Sequence, residues 1–141
     1  MLSKGHNKGV DYWSLGVLIY ECLVGHEPFY ADDQTQMFKK ICRYQYHFPR
    51  DMDGEAQDLV QRLLVNQKRR LGCLANGDKD IRDHPFFEKT DFTALYEKKI
   101  KAPWVPKLKN ALDASNFEPM KYKPGRKVKL SPKDQALFKD F

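Results

Sequence analysis

Residues 10–24 read V-D-Y-W-S-L-G-V-L-I-Y-E-C-L-V, and 11 of these 15 residues are apolar. The apolar positions do not keep to one stripe, and a helix apolar all round belongs in an interior. At a rise of about 1.5 Å per residue it would be roughly 22 Å long. That is short for a membrane span, which takes about 20 apolar residues. The expectation is a buried central helix of a soluble domain, closed by Gly25. Two charges ride on it, Asp11 and Glu21. A buried charge must be paired or capped. Asp11 is placed to cap the first turn. Glu21 has no cation beside it and needs a partner from elsewhere.

The rest of the first hundred residues is helical in pattern. Residues 34–43 carry Met37, Phe38 and Ile41 at helical spacing, with Asp32 and Asp33 ahead of them as caps. Residues 54–65 place Ala56, Leu59, Val60, Leu63 and Leu64 at i, i+3, i+4, i+7 and i+8, the clearest amphipathic helix in the chain. A basic loop with Gly72 and Gly77 follows. Residues 78–87 read as a helix ending in Pro85, Phe86 and Phe87, and residues 91–99 as a short helix with Phe92, Leu95 and Tyr96 inward. No alternating run of strand length occurs. The expected class is mainly α.

Charge marks a boundary. Residues 1–100 hold 15 Lys and Arg against 15 Asp and Glu, whereas residues 101–141 hold 10 against 4 and five of the eight prolines. The expected division is a helical domain over 1–100 and an extended tail over 101–141, tied down at a few aromatic points. Cys22, Cys42 and Cys73 match neither a disulfide framework nor a zinc pattern. Two of the three sit in apolar runs and read as core thiols of a reducing compartment. No secretory signal is evident, so a cytoplasmic or nuclear protein is expected. Nucleic acid is a weak expectation, since the basic tail carries no recognition motif, and no membrane partner is expected.

Specific motifs add to this reading. Asp11, Trp13, Ser14 and Gly16 form Asp-x-Trp-Ser-x-Gly, and Pro28-Phe29 follow the helix. Further on come R-R-L-G at residues 69–72 and D-I-R-D-H-P-F-F at residues 80–87. Together these resemble the C-terminal lobe of a eukaryotic protein kinase, from its central helix onward. The tail narrows the resemblance. Pro103 and Pro106 form Pro-x-x-Pro, S-N-F ends at Phe117, and the chain closes on F-K-D-F with Phe138 and Phe141. This is similar to the C-terminal tail of the AGC group of Ser/Thr kinases, and most similar to its cAMP-dependent catalytic subunits.

The resemblance implies roles. Asp11, Trp13, Gly16 and Arg70 would support the catalytic loop, Arg70 by pairing with a glutamate outside this chain. Glu21 and Tyr30 would bind substrate, Glu21 by taking an arginine in a bidentate pair. Phe117 would reach the adenine pocket. Pro103, Pro106, Phe138 and Phe141 would dock the tail, the two phenylalanines in a groove of the N-terminal lobe. Ser131, before Pro132, resembles a tail phosphosite; a plain Ser-Pro turn is the other reading. One departure stands out. After Asn116-Phe117 the family's acidic cluster is replaced by a basic stretch containing Tyr122, which puts a tail contribution to recognising basic substrates in doubt.

The parts that perform phosphoryl transfer are not in this sequence. It has no G-x-G, no His-Arg-Asp and no Asp-Phe-Gly, and Asp91-Phe92 is followed by Thr93. No residue here is expected to be catalytic and none to bind metal. Full-length relatives would use ATP and Mg²⁺; this stretch is expected to bind neither alone. Met1 reads as internal to a longer kinase. The expected activity of the whole is phosphorylation of protein Ser or Thr near basic residues, with a regulatory subunit or inhibitor as a further partner. The alternative is a non-catalytic interaction module that binds kinase regulators or an N-lobe groove.

Overall fold

The computed structural model describes residues 5–119 and 129–139. Among them there is no strand. The elements are α1 (Gly9–Val24), α2 (Gln34–Arg43), α3 (Gly54–Leu63), α4 (Lys79–Arg82), α5 (Phe92–Tyr96) and α6 (Pro132–Ala136), with 3-10 turns at Gln67–Arg69 and Pro85–Phe87. The chain divides into two compact units, Met1–Ile100 and Lys101–Phe141.

The first unit is built on α1 against α3. Gly16 lets the two helices close, because a Cβ there would stand 2.8 Å from Leu63 Cβ and 3.0 Å from Leu64 Cδ2. Helix α3 turns Ala56, Leu59, Val60 and Leu63 inward, with Leu64 just beyond its end, and all five are buried. Its start is held by Asp53, whose carboxylate accepts from the Glu55 and Ala56 amides. One core cluster gathers Tyr20, Phe29, Val60 and Leu64. The other gathers Leu59, Leu63, Leu71 and Ile81. Burying each such side chain is worth about 1.5–3 kcal/mol.

The most buried helix is therefore α3, not α1. In α1 only Gly9, Gly16 and Tyr20 are buried. Asp11, Ser14, Leu18, Glu21 and Cys22 are exposed and recur every three or four residues, so they form one stripe. Leu18 on that stripe is 56% exposed. The reason is that α3 covers one side of α1 only, and no described element packs on this stripe. The expectation of core thiols fails with it, since Cys22 and Cys42 are exposed and Cys73 is half-buried.

The start of α1 also differs. The helix begins two residues before Asp11, and the Asn7 side-chain oxygen accepts from the Gly9 amide at 2.9 Å. Asp11 thus sits inside the first turn and caps nothing. Gly25 closes the helix in the left-handed region, φ 87°, its amide donating to the Glu21 carbonyl at 2.8 Å. Helix α2 keeps its expected bounds and takes Asp33 as its cap, but Phe38 is exposed.

Residues 78–87 are not one helix. Pro85 disfavours helical backbone at the residue before it, and His84 is extended at ψ 139°. The break turns His84 inward, where its Nε2 meets Asp58 Oδ2 at 2.8 Å and its Nδ1 accepts from the Phe86 amide. In α5 Phe92 is half-buried against Phe87, but Leu95 is exposed and Tyr96 is 88% exposed, so neither points inward.

In the second unit, residues 109–115 are turned by side chains. Asp113 accepts from the Lys109 and Ser115 amides, and Asn110 from that of Leu112. These bonds hold the Asp113 carboxyl below the usual carboxylate range. The tail is not wholly extended, because Pro132–Ala136 is helical and Ser131 caps it.

Candidate functional site

Of the four residues expected to steady a catalytic loop, Trp13 and Arg70 meet at the start of α1, Asp11 is exposed on the same turn, and Gly16 lies further along at the α3 crossing. Trp13 points off the helix and stacks on Phe29, centroids 5.5 Å apart and rings 5° from parallel, with Tyr44 edge-on at 6.0 Å. The Arg70 guanidinium lies over the other part of this cluster, 4.9 Å from the Trp13 ring centroid. Its Nη1 donates to the Gly9 carbonyl at 2.6 Å, and its Nη2 and Nε donate to the Val65 carbonyl at 2.7 and 3.2 Å.

Arg70 is only 8% exposed. Burial lowers its pKa, while Cys73 and Tyr44 act the other way. An arginine still keeps its charge under such a shift. No carboxylate pairs with it among the described residues, so carbonyl dipoles and the indole face compensate the buried charge. The bond to Gly9 ties the loop after α3 to the first residue of α1. Glycine at position 9 makes this approach possible, since a Cβ there would meet Cys73 Sγ at 2.9 Å. Gly72, at φ 84°, lies against the Tyr12 ring, where a Cβ would come within 2.5 Å.

Two carboxylates stand on the exposed stripe of α1. Asp11 and Glu21 are ten residues apart, about 15 Å along the axis. Neither side chain has an ion pair or hydrogen bond among the described residues, and both face solvent. Tyr30 is not brought onto Glu21. Its hydroxyl donates to Asp32 at 2.9 Å, its carbonyl accepts from Lys40 Nζ, and its ring lines a cleft of about 640 Å³ that does not include Glu21.

Two residues that line the cleft, Tyr20 and Phe48, belong to an aromatic cluster. Tyr20, Tyr46 and Phe48 meet edge-on or tilted, with centroids 5.3–6.0 Å apart, and the Tyr20 hydroxyl donates to the His47 carbonyl at 2.7 Å. Burial, and then Tyr20, push the Tyr46 phenol up to about 12. The cluster pins the chain after α2 to the end of α1, and so fixes the ground beside Glu21.

In the second unit Pro103 and Trp104 are exposed, Pro106 is half-buried and Phe117 is 77% exposed. The Ser131 hydroxyl accepts from the Asp134 amide and donates to the Asp134 carboxylate at 2.7 Å. Phe138 is partly exposed. Phe141 and Tyr122 lie outside the described residues.

Sequence reasoning missed the carbonyl partners of Arg70 and the roles of Gly9 and Gly72. It also missed the His84–Asp58–Arg62 set, in which Asp58 bridges a buried imidazole and Arg62 Nε, each at 2.8 Å. The i, i+4 spacing of Asp58 and Arg62 was a signal for half of that set.

Residues 1–87 match the protein kinase domain family model. The chain is 40% identical over 141 residues to the cAMP-dependent protein kinase catalytic subunit 3 of Drosophila melanogaster, covering 99% of this chain and 24% of the relative. It is likewise 40% identical over 141 residues to the human cAMP-dependent protein kinase catalytic subunit PRKX, covering 99% and 39%. The serine/threonine-protein kinase gad8 of Schizosaccharomyces pombe is 40% identical over 119 residues, 84% of this chain and 21% of the relative. The chain thus spans well under half the length of each.

Proposed function

This chain belongs to the protein kinase family, and from that premise we propose that it is the helical C-lobe portion and tail of an AGC-type Ser/Thr kinase and transfers no phosphoryl group alone. The observation that carries the reading is the stripe on α1. It holds two unpaired carboxylates and two apolar side chains, Leu18 and Cys22, with no described element packed against them. A helix buried on one side and bare on the other fits a platform that another part of a kinase covers.

In this reading Asp11 accepts hydrogen bonds from backbone amides of a catalytic loop. Arg70 and Trp13 hold the helix start so that the Asp11 carboxylate stays in place. Glu21 takes the guanidinium of a basic substrate, since a carboxylate and a guanidinium form a strong two-bond pair. Tyr30 flanks the peptide. Phe117 reaches an adenine pocket, and Pro103, Pro106, Phe138 and Phe141 dock the tail on an N-terminal lobe. Ser131 is a tail phosphosite, and a phosphate there would give up the hydroxyl's bond to Asp134. A regulatory subunit or inhibitor competes for the same platform. The three free thiols suit a cytoplasmic or nuclear setting.

The residues present do not fit Mg·ATP. The sequence has no Gly-rich phosphate loop, no His-Arg-Asp and no Asp-Phe-Gly. Among the described residues no three His, Cys, Asp or Glu side chains converge to hold a metal. No step through the nucleotide is therefore assigned to this chain. The test is to incubate the purified chain with labelled ATP, Mg²⁺ and an arginine-containing serine peptide. The expected result is no incorporation above a no-protein control; metal-dependent incorporation would overturn the reading.

A further inference from the structure

A second feature of the helical unit does not depend on the kinase reading. The end of α1, residues 49–53, the start of α3 and residues 85–89 enclose a groove of about 620 Å³. Its lining is mixed: Leu23, Val24, Met52 and Phe86 supply the apolar part, its floor, and charged side chains the polar part, its rim. Leu23 is 52% exposed there, more than a helical leucine needs to be when one side of its helix is packed.

The rim carries a different charge from the rest of the chain. Asp51, Asp53, Glu55 and Glu88 line it against a single Lys89. The lining is thus three charges negative, in a protein whose formal net charge is +6. Asp53 is engaged in capping α3. The carboxylates of Asp51, Glu55 and Glu88 have no ion pair or hydrogen bond among the described residues. Like charges gathered around an apolar floor repel one another, and a cationic guest relieves that repulsion while its apolar side chains leave water.

The geometry points to a docking groove for a short cationic peptide segment that carries one or two large apolar side chains. The apolar anchors fill the floor over Leu23 and Phe86, and flanking Arg or Lys side chains pair with the rim. A fatty acyl chain suits the floor but brings its own carboxylate to an acidic rim, so charge complementarity favours the peptide.

The test uses the full chain and a fluorescein-labelled Arg-Arg-Leu-Leu-Arg-Arg peptide, read by anisotropy. Saturable binding that weakens with salt is expected. The triple variant Asp51→Asn, Glu55→Gln, Glu88→Gln should bind about tenfold more weakly. All three positions are exposed and none of the three side chains caps a helix, so circular dichroism should be unchanged. Leu23→Ser should weaken binding as well, and Glu97→Gln, at an exposed residue outside the groove, should not. The proposal is overturned if the triple variant binds as the parent does, or if Glu97→Gln weakens binding as much as the triple variant does. Equal binding of a peptide with glycines in place of the leucines would reduce the site to diffuse charge. Binding of a fatty acid with no peptide binding, or self-association lost in the triple variant with no peptide binding, would overturn the proposal and assign the groove to those occupants instead.

Discussion

Replacing Gly16 with alanine tests the packing on which the platform rests. The added Cβ would stand 2.8 Å from Leu63 Cβ, 3.0 Å from Leu64 Cδ2 and 3.2 Å from Leu64 Cγ. Carbon atoms in contact prefer about 3.5–4.0 Å, so α1 and α3 must separate by roughly 1 Å. Leu63 and Leu64 are 0% and 1% exposed and cannot swing aside into solvent. Overpacking of this kind costs about 1–3 kcal/mol. The better helix propensity of alanine returns about 1 kcal/mol. The expected balance is a loss of up to about 2 kcal/mol. Gly54 provides the matched control, because a Cβ at that first residue of α3 meets nothing within 4 Å. Gly54→Ala should stabilise by about 0.4–1 kcal/mol through the unfolded chain. With a urea slope of about 1–3 kcal/mol per molar, the two variants should shift the unfolding midpoint in opposite directions. If Gly16→Ala raises the midpoint as Gly54→Ala does, the close approach of α1 and α3 is wrong.

Arg70→Met keeps the bulk but removes the donors to the Gly9 and Val65 carbonyls; a loss of about 2–4 kcal/mol in thermal unfolding is expected, and an unchanged melting temperature would refute the anchoring role. Burial pushes the Asp58 carboxyl up, but hydrogen bonds from His84 and Arg62 outweigh it and leave its pKa below the usual value. Its stabilising effect is therefore complete above the unfolded pKa of about 3.9 and is lost as pH falls through the lower folded pKa. Asp58 is nearly half exposed, so the effect should stay below about 1 kcal/mol. Urea titrations between pH 5 and pH 3 should show a shallower acid loss for Asp58→Asn than for the parent; parallel profiles would remove Asp58 as a source of that loss.

Local signals in the sequence translated well where they concern neighbours in the chain. Helix α2 kept its bounds because Asp33 caps it, and Gly25 closed α1 because glycine accepts a left-handed conformation. The apolar face of α3 was legible because five inward residues share one period. What failed concerns context. The apolar residues of α1 state that something should cover the helix, not that this chain supplies the cover, so Leu18 and Cys22 were placed in a core that does not close over them. The helix at residues 78–87 was drawn through Pro85 although the residue before a proline resists helical backbone. The partners of Arg70 were beyond reach for another reason. They are backbone carbonyls, one of them 61 residues away, and a carbonyl carries no mark in a sequence.

The most direct test of the account exchanges this chain for the matching segment of the human PRKX subunit, with which it aligns over 141 residues. The chimera supplies the catalytic and nucleotide-binding parts, and this chain supplies α1, Arg70, Glu21 and the tail. Steady-state phosphorylation of a serine peptide with arginines before the serine should be retained. Glu21→Gln in the chimera should raise KM by about tenfold or more, the loss of one charge-assisted pair, with kcat little changed. A folded chimera without activity, or one in which Glu21→Gln leaves KM unaltered, would contradict the proposal that this chain is a kinase substrate platform.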